Sequence, residues 1–112
     1  MSAILRLKSI TCIESAETFT DELYVTFNGT KRTLPNMTTG QTETLGDEFL
    51  FEGSSDLSLF ENDGDHWYDR DDFIASHTIT ESPDEPTLKF IATSGNALPA
   101  NYTMDVSITP GP

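Results

Sequence analysis

The sequence contains one cysteine, two histidines and six basic residues in 112 positions, and each scarcity removes a class of protein. A single thiol, Cys12, excludes an intramolecular disulfide, and its place in an alternating apolar segment marks it as a buried, inert core residue. Two histidines and one cysteine at unrelated spacings supply none of the recognisable ligand patterns for zinc. Six Lys and Arg stand against nineteen Asp and Glu, a formal net charge of -13. Such a field repels nucleic-acid phosphates and anionic lipid, so nucleic acid is excluded as a partner and membrane binding is disfavoured. The expected partners are cations, since self-repulsion of this size is relieved locally by a bound divalent ion.

No run approaches the roughly twenty apolar residues of a membrane helix. Arg6 and Lys8 interrupt the apolar residues of positions 1–13, so no Sec signal peptide is expected there, which leaves the localisation unassigned between the cytoplasm and a non-Sec export route.

A sustained helical period is also missing; what recurs is alternation by two, in short runs. Tyr102, Met104, Val106 and Ile108 fall on one face of a final strand and Thr103, Asp105, Ser107 and Thr109 on the other. Residues 21–27 alternate likewise through Leu23, Val25 and Phe27 and end at Asn28-Gly29, a dipeptide suited to a tight hairpin, with a partner strand at 31–34. Leu5 and Leu7 share one phase and Ile10 and Cys12 the next, which predicts a β-bulge between them. Further strands are expected around 41–45, 56–60, 73–80 and 87–93, between turn-rich stretches at 52–55 and 82–86. Seven or eight short strands in a chain of this length predict one domain, spanning 1–112, folded as an all-β antiparallel sandwich.

Between two of these strands lies Glu61-Asn62-Asp63-Gly64-Asp65-His66-Trp67-Tyr68-Asp69-Arg70-Asp71-Asp72, six carboxylates and one Arg in twelve positions. Carboxylates at this density repel one another and destabilise an ordered loop unless something positive sits among them. Calcium takes six to eight hard oxygen ligands in flexible geometry and suits an Asp-x-Asp pair followed by further aspartates, whereas magnesium keeps more of its waters. An EF-hand is excluded, because its twelve-residue loop needs Gly at its sixth position and helices on both sides. The bland alternative is a solvated acidic loop held by Arg70 and water.

Leu57-Ser58-Leu59-Phe60-Glu61 leading into Asp63-x-Asp65 and out through Asp71-Asp72-Phe73-Ile74-Ala75 resembles the third calcium loop of C2-type β-sandwiches. In those domains a strand ends in Asp-x-Asp and a later Asp opens the next strand. Asp21-Glu22-Leu23-Tyr24 stands where such domains place ligands from an earlier loop. The resemblance, closest to small bacterial C2-like modules, implies a calcium site at one tip built from Asp63, Asp65, Asp69, Asp71 and Asp72, with help from Asp21 and Glu22. Membrane-docking members also carry basic patches, for which this chain offers few Lys or Arg.

Catalysis is not expected. Ser76 and His77 are neighbours on one strand and point to opposite faces, so they do not meet as nucleophile and base. His77 reads as a core-edge residue in phase with Phe73, Ala75 and Ile79. Two rival readings stand beside the calcium module. One is a calcium-dependent carbohydrate-binding or lectin module in which Trp67 stacks on a sugar, and the other a metal-free acidic inhibitor or immunity domain for a protein partner.

Overall fold

The computed structural model describes residues 2–15, 22–62, 72–93 and 99–112. Nine strands run through them: β1 (Ala3–Glu14), β2 (Leu23–Phe27), β3 (Thr30–Thr33), β4 (Thr42–Thr44), β5 (Glu48–Phe51), β6 (Ser54–Glu61), β7 (Asp72–Thr80), β8 (Thr87–Ile91) and β9 (Asn101–Pro110). They form two antiparallel sheets, one ordered β4-β1-β9-β8 with β5 also on β1, the other ordered β3-β2-β6-β7. The all-β antiparallel sandwich expected from the alternation is the fold observed.

The two-residue period decides which side chains meet between the sheets. Leu5, Leu7, Ile10 and Cys12 from β1 and Tyr102, Met104, Val106 and Ile108 from β9 are buried against Leu23, Val25 and Phe27 of β2 and Leu57 and Leu59 of β6. Cys12 is buried and forms no disulfide, as its neighbours imply. The change of phase along β1 is a register shift against β9 between Leu7 and Ser9, which keeps Ile10 inward after the extra residue.

Asn28 and Gly29 both have positive φ, 50° and 80°, and join Phe27 to its partner Thr30. This is the mirror-image turn whose twist matches the strands it connects. A Cβ at Gly29 would meet nothing within 4 Å, so its cost is the backbone conformation alone. Gly29→Ala is therefore expected to lower stability by about 1 kcal/mol in urea unfolding, with the urea dependence unchanged.

Two expectations are corrected. The short β5 carries no sequence assignment, yet Phe49 and Phe51 fill the core from it and pack their rings on Phe27 at 5.4 and 5.1 Å. Phe73 is out of phase with Ala75, because a register shift at Leu59/Phe60 pairs Phe60 with Phe73 but Leu59 with Ala75. The bulge leaves Phe73 on the outer face, half exposed, while Ile74 is buried. His77 is partly buried at the sheet edge as expected, its Nε2 hydrogen-bonded to the Lys89 carbonyl and its ring edge-on to Phe90.

Candidate metal centre at the loop end of the sandwich

Strand direction brings the ends of several connections to one end of the sandwich. β1 finishes at Glu14 beside Asn101, where β9 begins, and Ile91, the last residue of β8, also pairs with Asn101. In the other sheet Leu23 opposes Glu61 and Glu61 opposes Asp72. The connections 15–22, 62–71 and 92–100 therefore leave from and return to the same end. The 34–41 connection joins them, since the Gly40 N–H donates to the Cys12 carbonyl at 2.7 Å and the Ser15 N–H to the Thr39 hydroxyl at 3.1 Å.

Of the residues proposed as calcium ligands, Asp63, Asp65, Asp69, Asp71 and Asp21 lie outside the described residues, as do Trp67, His66 and Arg70. Glu22 and Asp72 are described. Glu22 is exposed immediately before β2, and its carbonyl accepts a 2.6 Å hydrogen bond from the Asn62 N–H, which ties the entry of β2 to the exit of β6. Asp72 is partly buried as the first residue of β7, directly across from Glu61. Among the described residues no group of three or more His, Cys, Asp or Glu side chains converges to hold an ion.

Sequence reasoning passed over Glu61 as a ligand. It shares the inward phase of Leu57 and Leu59, and it is only 1% exposed. A carboxylate at such a position is costly to desolvate unless positive charge or hydrogen bonds meet it. Because β6 ends at Glu61, the strand exits in the carboxylate-x-carboxylate sequence Glu61-x-Asp63, two residues ahead of Asp63-x-Asp65. The signal was legible in the alternation Leu57, Leu59, Glu61, which puts the glutamate at the inner mouth of the sandwich.

The outer face stiffens the same strand ends. Tyr24 stacks on Phe60 with ring centroids 5.1 Å apart and 9° between planes, and Phe60 meets Phe73 at 5.5 Å. Phe60 precedes Glu61 and Phe73 follows Asp72, so this aromatic row holds the backbone from which the two inner carboxylates hang. Lys31 lies over the Tyr24 ring at 4.1 Å, so the outer side already has a fixed cation.

No protein-family model matches the chain, and no curated protein matches its sequence. Solved structures do match its shape. Human GIVD cytosolic phospholipase A2 superposes with a TM-score of 0.61 at 14% identity over 96% of this chain, which spans 16% of that enzyme's length. The paired C2 domains of Extended-Synaptotagmin 2, calcium bound, give a TM-score of 0.60 at 10% identity, covering 96% of this chain and 44% of theirs. A structure described simply as a C2 domain gives 0.58 at 11% identity, with 98% of this chain and 99% of that one covered. The nine strands and two antiparallel sheets described above thus have the fold of a C2 domain.

Proposed function

We propose that the chain is a non-catalytic module that binds calcium at its loop end, through Asp63, Asp65, Asp69, Asp71 and Asp72 with contributions from Glu61, Asp21 and Glu22. The observation that carries this reading is the row Leu23, Glu61, Asp72 across three adjacent strands. It anchors both ends of an aspartate-rich connection at the inner mouth, beside the start of β2. Hard carboxylate oxygens in excess, with few basic residues to neutralise them, are the donor chemistry that calcium takes. The fold adds support, since the calcium-bound Extended-Synaptotagmin 2 domains share it.

Binding is favoured over catalysis by the one catalytic pair available on paper. Ser76 is exposed while His77 turns inward to the Lys89 carbonyl. The metal's role in this reading is to neutralise and order the loop end, creating a surface for a protein or carbohydrate partner.

Calorimetric titration of chelator-treated protein with calcium tests the assignment. The expected result is saturable binding, weakened about tenfold or more by Asp63→Asn or Asp72→Asn, because ligand charge count sets calcium affinity. No heat of binding at any calcium concentration up to several millimolar, with unchanged spectra, would leave an acidic protein-interaction domain as the better reading.

A further inference from the structure

In a chain with nineteen acidic and six basic residues, every cation has carboxylates to choose from, so an unpaired one calls for an explanation. Among the described residues Arg6 and Lys89 are both unpaired, and Arg6 is the one that lines a hollow beside a second cation. It is exposed on the outer face of the β1 sheet, between its register partners Glu48 on β5 and Ser107 on β9, yet its guanidinium makes no ion pair or hydrogen bond among the described residues. Lys8 lies two residues further along the same outer face.

Directly across the ladder from Arg6, Ser107 is only 9% exposed, and its hydroxyl also has no partner among the described residues. These groups, with Thr44, Leu45 and Glu85, line an open hollow of about 400 Å³. Glu85 holds Lys8 at 3.7 Å, with both side chains largely in solvent. Such exposed pairs contribute little, about 0–1 kcal/mol, so a better anion displaces Glu85 readily.

We propose that this hollow is an oxyanion site for a small phosphate monoester. The Arg6 fork and the Lys8 ammonium take the charged oxygens, the Ser107 and Thr44 hydroxyls donate to them, and Leu45 touches the organic part. A guanidinium paired with an ammonium and hydroxyl donors is the set that recognises phosphate with charge-assisted hydrogen bonds. The hollow is open to solvent and is larger than a bare phosphate fills. It lies on the opposite sheet from the row of Glu61 and Asp72, so it is independent of the calcium reading.

Heteronuclear NMR titration of the protein with inorganic phosphate, at about 0.15 M ionic strength to screen the distant carboxylates, tests it. The expected result is a saturable shift, centred on the amides of Arg6, Lys8, Thr44 and Ser107, at millimolar concentrations and absent with equal chloride. Arg6→Gln is expected to weaken binding about tenfold and Arg6→Lys to restore part of it, since one charge-assisted contact is lost and partly replaced. Glu85→Gln is expected to tighten binding a few-fold by releasing Lys8 and removing a like charge.

Glycerol 1-phosphate and vesicles containing phosphatidic acid then separate a soluble ligand from a lipid headgroup. Tighter binding of the first assigns a soluble ligand and of the second a membrane one. Arg6 and Glu85 are exposed, so these variants are expected to fold. Shifts that do not saturate, or that persist unchanged in Arg6→Gln, overturn the proposal.

Discussion

Chelator-treated protein is expected to gain about 10 to 20 °C in its unfolding midpoint when calcium is added at roughly 100 times its dissociation constant. The size follows from linkage: a ligand that binds only the native state at that excess adds about 2.7 kcal/mol, and each kcal/mol moves the midpoint of a domain of this size by about 4 to 8 °C. The proposed site is where the chain's charge is most concentrated, six of its nineteen carboxylates within residues 61–72. Removing their mutual repulsion is part of the gain.

Magnesium at the same concentration is expected to give a small fraction of the shift, because it dehydrates reluctantly and demands octahedral geometry. Asp72→Asn is the informative variant, since Asp72 opens β7 across from Glu61 and its backbone is held by the strand pairing whatever its charge. It should keep most of the metal-free stability and lose most of the calcium response. Superimposable melting curves with and without calcium would sink the metal reading.

How far the sequence carried this picture depended on whether a local signal was strong enough to survive packing. Asn28-Gly29 was legible because positive φ at two successive positions admits few other residues, and both angles are positive. The bulge after Leu7 was legible because the apolar phase changes and the core requires Ile10 to turn back inward. β5 was not legible. Its four residues are too short for a period to stand out, and outward Leu50, 60% exposed, is as apolar as inward Phe49 and Phe51. Phe73 was misphased because alternation was counted straight through Ile74, where the strand has a bulge that only the pairing with β6 defines.

The candidate site divided in the same way. Charge density and spacing drew attention to residues 61–72, and strand alternation was sufficient to predict that Ser76 and His77 face apart. The convergence of four connections at one end required the sheet order, which non-local hydrogen bonds decide. Glu61 was missed because an acidic residue at the end of an apolar alternation reads as the first residue of the loop, whereas β6 keeps it as its last inward position.

Glu61→Gln should weaken the calcium response far more than it changes the metal-free protein. Without metal, the substitution keeps the shape of the side chain, so most of the metal-free stability is expected to remain. With calcium, the same change deletes a negatively charged ligand at the inner mouth, and affinity is expected to fall about tenfold or more. Melting curves of wild type and variant, each with chelator and with calcium, separate the two effects in one experiment. A reduced calcium shift with the metal-free midpoint little changed places Glu61 in the metal's coordination. A calcium shift equal to that of wild type would remove Glu61 from the ligand set.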